Sequence, residues 1–164
     1  MKRFLFGAIA GILFGFALGI FIYPFWFLNE AATEQLVENS ARVEIAKGEF
    51  IQTNPSDLVH YGKGHVTLYS EGDGRSSVHL GNDFQVGPGP AFHVYLVDHA
   101  KVRSAKDFND AKKLDLGKIR SFRGSQIFPV PASADIAAFK SVVVWCQEFG
   151  VLISPATLNK GKSS

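Results

Sequence analysis

Phe92-His93-Val94-Tyr95-Leu96-Val97 alternates two sets of side chains, Phe92, Val94 and Leu96 on one side and His93, Tyr95 and Val97 on the other. A period of two is the signature of a β-strand, and a strand apolar on one side and largely apolar on the other belongs to a sheet covered on both faces. Three further runs have the same character: His65 to Tyr69, Ser77 to Val86 and Ser141 to Ile153 are rich in Val, Phe, Tyr and Leu and are bounded by Gly, Pro and Asp. Gly72-Asp73-Gly74 suits a hairpin turn between two of them. Several short strands with such punctuation close into a β-sandwich or a barrel, so the fold class expected is all-β.

Working outward, Gly87-Pro88-Gly89-Pro90 gives the Phe92 strand a stiff, tightly turned entry, because proline presets φ and glycine admits positive φ. On the far side, Lys101 to Arg123 holds eight Lys or Arg against three Asp and reads as a solvated surface connection with one helical turn. Between Gly48 and Leu158 eleven basic residues face eleven acidic ones. A domain so close to neutral lacks the basic footprint of a nucleic-acid binder, and no nucleic-acid partner is expected.

The N-terminus differs in kind. Phe4 to Leu28 contains no charged residue and follows Lys2 and Arg3. A bilayer core about 30 Å thick needs roughly 20 apolar residues at 1.5 Å rise each, so residues 1–28 are expected to form an uncleaved transmembrane anchor. No small-x-small cleavage site is evident before the Glu30 region. The positive end stays in the cytoplasm, which makes the protein a single-pass inner-membrane protein with its C-terminal domain in the periplasm or extracellular space. Gly7, Gly11, Gly15 and Gly19 recur every fourth residue along one flank, a spacing that lets a second helix approach, in a homodimer or another membrane partner. Tyr23 and Trp26 suit the outer interface. Residues 29–47 read as a juxtamembrane spacer, 48–158 as one domain, and 159–164 as a disordered polar tail.

The blocks Gly87-Pro88-Gly89-Pro90-Ala91-Phe92-His93-Val94-Tyr95-Leu96, Leu116-Gly117, Gly124-Ser125-Gln126 with Pro131, Val142-Val143-Val144-Trp145-Cys146-Gln147-Glu148-Phe149 and Ala156-Thr157-Leu158 come in an order that resembles the DM-thirteen domain family, commonly described as an electron-transfer domain. Gly48-Glu49-Phe50, His60 and Gly64 are similar to the family's start. The resemblance covers almost all of the expected domain. It implies a β-sandwich-like fold in a membrane-anchored bacterial member and a redox role centred on the cysteine, here Cys146 beside Trp145. The family usually has Asp where this chain has Ala91.

Cys146 is the only cysteine, which excludes an internal disulfide. Three readings stay open for it: core filling between Val142 to Trp145 and Phe149, redox or metal chemistry, and pairing with a redox partner protein. Of the five histidines, His60 stands where the resemblance places a histidine and is the first candidate partner of Cys146. His93, beside Tyr95 on a strand face, is the second. A copper centre of two His, one Cys and an axial Met lacks its Met, since the sole one is Met1, which leaves an axial glutamine or backbone oxygen as the alternative, without a compact Cys-x-x-His spacing to support it. The Cys-x-x-Cys-His of covalent haem is absent, and Gly87 to Gly89 opens no helix for a dinucleotide. No cofactor is assigned. Trp145 and Tyr95 are candidate electron-hopping groups, with packing as the competing role. Asp57, Asp83 and Asp135 occur singly in turns, which gives hydrolysis little support. The alternative to electron transfer is a non-enzymatic binding or assembly module of the cell envelope.

Overall fold

The computed structural model describes residues 2–27, 30–36, 41–72 and 74–160. In chain order the elements are α1 (Lys2–Phe27), β1 (Ala32–Thr33), β2 (Val43–Glu49), β3 (Gly62–Lys63), β4 (His65–Ser70), β5 (Ser76–Leu80), β6 (Gln85–Val86), β7 (Phe92–Val97), α2 (Ala105–Asp110), β8 (Lys113–Lys118), β9 (Gly124–Val130), β10 (Ser141–Cys146), β11 (Val151–Thr157) and β12 (Asn159–Lys160). They form a six-stranded sheet in the order β1-β9-β5-β4-β2-β12, a four-stranded sheet in the order β11-β10-β7-β8, and the small pair β3-β6.

The two large sheets share one core. Val66, Leu68, Val78, Leu80 and Phe128 from the first pack with Phe92, Val94, Leu96, Val142, Val144 and Ile153 from the second. Both sheets are open, so the barrel alternative is corrected in favour of a sandwich. The alternation in β7 holds as expected: Phe92, Val94 and Leu96 face that core, while Tyr95 and Val97 join a second cluster with Val102, Phe108, Val143, Trp145 and Leu152. The four-stranded sheet is thus covered on its outer face too, by α2 and the segment before it. That double cover explains why every residue of β10 is buried.

Several boundaries differ from the sequence reading. The run Ser77 to Val86 is broken after Leu80 by a turn in which the Phe84 N–H donates to the Gly81 carbonyl. Ser141 to Ile153 is a hairpin, turned at Gly150 with φ +61°. The hairpin expected at Gly72 to Gly74 joins β4 to β5, with both glycines at positive φ; Asp73 lies outside the described residues. The charged stretch 101–123 is more structured than expected. Ser104 and Asp107 form a reciprocal capping box that starts α2, and Leu114 and Leu116 turn toward the core from β8. β8 is an edge strand, and the exposed Lys113 and Lys118 that masked its pattern guard that edge.

The spacer expected over 29–47 is corrected where it is described. β1 pairs in parallel with β9, and β2 is an interior strand of the six-stranded sheet. Of the tail, Asn159 and Lys160 form β12 against β2, and 161–164 lie outside the described residues. α1 is a helix of 26 residues whose side chains are described at 3–19 and 22, all of them exposed. The side chains of Tyr23 and Trp26, and Leu28 and Asn29 altogether, lie outside the described residues. Among the described residues no helix is long and apolar enough to cross a membrane. Among the described residues, and apart from the helix's own neighbouring backbone, no atom stands within 4 Å of the position a Cβ would take at Gly7, Gly11, Gly15 or Gly19.

Candidate functional site

The antiparallel pairing of β7 with β10 sets His93 opposite Trp145 and Phe92 opposite Cys146. Directly opposed residues share a sheet face, so Trp145 and Cys146, neighbours in sequence, point into different environments. Cys146 is 1% exposed and faces the inter-sheet core among aliphatic and phenylalanine side chains. Trp145 lies on the outer face. The expected partnership of Cys146 with His93 is therefore corrected: the sheet stands between them.

The outer face carries a row of aromatic rings. Phe108 of α2 stacks on Trp145 with centroids 4.1 Å apart at 17°, and meets Tyr95 edge-on at 5.1 Å and 81°. The tilted rings of Tyr95 and His93 follow at 6.4 Å. Phe108 is held there because α2 is short and capped at both ends. Its C-terminus is closed by Lys113, whose Nζ donates to the carbonyls of Phe108 and Asn109 at 3.1 Å and stands 4.9 Å above the Phe108 ring.

At the Tyr95 end the row runs into polar groups. The Gln147 amide donates to the Tyr95 hydroxyl at 2.5 Å and to Asp115 Oδ2 at 3.0 Å. His93 Nδ1 lies 3.1 and 3.0 Å from the two Asp115 oxygens, and the Gly117 N–H donates to Asp115 at 2.8 Å. A carboxylate only accepts, so the Nδ1 of His93 carries the proton. Burial, with the negative charge of the nearby Asp115 carboxylate, pushes the Tyr95 hydroxyl above its ordinary value, against the lowering effect of the Gln147 bond. A phenol with an adjacent carboxylate has somewhere to send its proton when it loses an electron.

His60 sits elsewhere, in the loop 51–61. Its Nδ1 is 2.7 Å from Asp57 Oδ2. Asp57 also accepts from the N–H groups of His60 and Val59, and these bonds hold its carboxyl down at about 2. Among the described residues no group of three or more His, Cys, Asp or Glu side chains is placed to hold a metal. His60 and His93 each bond a different aspartate, and the two belong to no common site.

Tyr95 and Trp145 were thus legible candidates, whereas Phe108, Asp115 and Gln147 were missed. Gln147 had a signal in the Trp145-Cys146-Gln147 block. Asp115 looked like one charge among many, and only the pairing of Tyr95 with Asp115 across β7 and β8 reveals its place.

Neither a curated protein nor a solved structure matches the chain. A family model does, that of Electron transfer DM13, over residues 54–158. The match takes in β3 to β11, including β7, β8, α2 and β10 with every residue of the aromatic row and its polar end, and by it the chain belongs to the Electron transfer DM13 family.

Proposed function

We propose that the protein is a membrane-anchored, extracytoplasmic one-electron carrier in which Tyr95 and Trp145 exchange electrons with a partner redox protein. The observation that carries the reading is the row Trp145, Phe108 and Tyr95 ending on Asp115. In the oxidising step a one-electron oxidant, such as a high-potential metal centre of the partner, takes an electron from the Tyr95 phenol. The phenolic proton passes to Asp115, which leaves a neutral tyrosyl radical beside a carboxylic acid. An electron from a reduced donor at the surface, reaching the ring directly or by way of Trp145, restores the phenol with return of the proton. His93 and Gln147 position Asp115 in this scheme. Cys146, at 1% exposure, is withheld from disulfide exchange, which requires an attacking sulfur to reach it.

Membrane attachment rests on the uncharged run Phe4 to Leu28 and on the exposure of large apolar side chains along α1, among them Phe4, Phe6, Phe14 and Phe16. A helix so apolar on every described side is stable in contact with lipid rather than water. The glycine flank is the side on which a second helix would pack.

The test is photo-oxidation of the full chain in detergent micelles by a ruthenium complex, with the radical identified by electron paramagnetic resonance. A tyrosyl signal that disappears in Tyr95→Phe supports the scheme, and a signal unchanged by that substitution overturns it. Burial of the thiol favours a second reading, a binding or assembly module of the envelope. Under that reading the Tyr95 row is packing, and no variant in it changes electron exchange.

A further inference from the structure

Outside α1, the large apolar side chains exposed among the described residues are Val43, Ile51, Leu58, Val59 and Phe149. Val43 begins β2 at one end of the sandwich, and the other four gather at the opposite end. The contacts that join them are explicit. The Val59 carbonyl closes on Gly87 so tightly that a Cβ there would lie 1.8 Å from its oxygen, and the Gly87 N–H donates to the Tyr61 carbonyl. Four residues on, the Ala91 carbonyl accepts from the N–H of Gln147, which opens the turn bearing Phe149. Loops 51–61, 87–91 and 147–150 therefore form one surface.

The same end receives the chain from α1. Ala32 pairs with Gly124 at the start of β9, and the Ala32 N–H donates to the Arg123 carbonyl. Phe122 accepts from the Val86 N–H, immediately before Gly87. The segment is fastened as well as paired: Glu34 binds the Arg120 guanidinium and the Ile127 N–H, and the hydroxyls of Ser121 and Ser125 donate to the carbonyls of Glu30 and Glu34. Five peptide steps separate Phe27, the last residue of α1, from Ala32. A chain reaches at most about 3.6 Å per residue, so Ala32 stays within roughly 18 Å of Phe27.

We infer that this end of the domain rests on the bilayer, with Leu58, Val59 and Phe149 inserted to headgroup depth. The inference rests on the membrane attachment proposed above. Exposures of 84%, 51% and 67% for these three side chains are costly in water and suited to an interface. Glu148, exposed beside Phe149, limits the depth to the headgroups. Asp57, beside Leu58, is no obstacle, since its carboxylate is engaged by its own loop. β10 ends at this surface, and the indole of Trp145 lies 3.9 Å from where a Gly150 Cβ would be.

The test uses the full chain in phosphatidylcholine nanodiscs, with nitroxide labels at Leu58→Cys, Phe149→Cys and, at the far end of the sandwich, Ser133→Cys. The unsubstituted chain, with Cys146 buried, gives the labelling background. Labels at 58 and 149 relaxed by oxygen and shielded from a water-soluble nickel chelate, with the reverse at 133, are the expected result. Labels at 58 and 149 as open to the chelate as 133, in protein that co-floats with the lipid, overturn this inference alone. Spin-spin broadening at 58 or 149 assigns the patch to a second copy of the chain and also overturns it. Failure to co-float removes the membrane attachment itself.

Discussion

Replacing Cys146 by Ala and by Ser separates a functional thiol from a packing one, and the structure sets the order in which the two variants lose stability. The side chain is 1% exposed on the inter-sheet face, opposite Phe92 on β7 and Val151 on β11. Cys146→Ala removes one sulfur. Its transfer is comparable to that of a methylene, about 0.8 kcal/mol, and the space left adds a few tenths at about 24 cal/mol per Å³, for a loss of about 1 to 1.5 kcal/mol. Cys146→Ser keeps the size but puts a hydroxyl among Phe92, Val144 and Ile153 with no polar side chain of that cluster to receive it, a cost of about 1 to 3 kcal/mol. Serine is therefore the poorer control here, since it disturbs the core whether or not the thiol has a function. The assay is guanidinium unfolding of the full chain in a mild nonionic detergent, followed by the fluorescence of the buried Trp145, together with the photo-oxidation signal of Tyr95. The expectation is that Ser lowers stability at least as much as Ala, and that Ala leaves the tyrosyl signal at wild-type yield. A folded Ala variant that has lost electron exchange would refute the reasoning and make Cys146 the redox group. A Ser variant as stable as wild type would show that the site is not the dry apolar environment described.

Two further outcomes follow. Phe108→Ala removes a 2%-exposed ring packed between Trp145 and Tyr95, and should cost about 3 to 5 kcal/mol in the same unfolding titration; Phe108→Leu should restore most of that stability without restoring the ring contacts. The His65–Asp83 pair, at 2.5 Å, gives a pH window. The hydrogen bond to Asp83 raises His65 above 6.5, so its contribution is full below 6.5 and fades as pH rises through the raised value. Burial works against the charge on Asp83, but bonds from the His65 N–H and ring outweigh it and lower the carboxyl below 3.8, so its contribution is full above 3.8 and fades as pH falls. The pair should stabilise the fold most between pH 3.8 and 6.5, by well under 1 kcal/mol because both side chains are more than half exposed, and Asp83→Asn should flatten that part of the stability profile.

The sequence made the two-faced strand Phe92–Val97 legible because its burial is a consequence of side-chain alternation alone, which needs no knowledge of the partner strand. It concealed β8 for the opposite reason. An edge strand pairs on one side and carries lysines on its free surface, so Leu114 and Leu116 are outnumbered in a stretch that reads as loop. β1 was hidden more deeply: two residues of parallel pairing, held by Glu34 and Arg120 from 86 positions away, leave no periodic trace. The candidate site divides in the same way. Tyr95 and Trp145 announce themselves as aromatic residues on a strand, whereas Asp115 acquires meaning only when β7 and β8 come into register and Phe108 only when α2 folds over them.

The position of Cys146 shows how one step of strand register separates two chemistries. Trp145 and Cys146 are adjacent in the chain, and the resemblance directs attention to the sulfur. The pleat sends that sulfur into a core of Phe92, Val94, Val144 and Ile153, and sends the indole to the side where Phe108, Tyr95, Asp115 and His93 stand. Of the two faces only the outer one combines oxidisable rings, a proton acceptor and a path to the surface, since Asp115 and Gln147 are in contact with solvent. A carrier that gives up an electron from a buried ring must also accommodate the positive charge left behind, and in low dielectric that charge is costly unless a proton leaves at the same time. In the proposed scheme the Asp115 carboxylate, bridged to the Tyr95 hydroxyl by the Gln147 amide, takes up the proton as the electron leaves the ring. Under the proposed scheme Asp115→Asn keeps the packing of the row and removes its proton acceptor, so the tyrosyl signal on photo-oxidation should fall, and a signal at wild-type yield would remove Asp115 from the scheme.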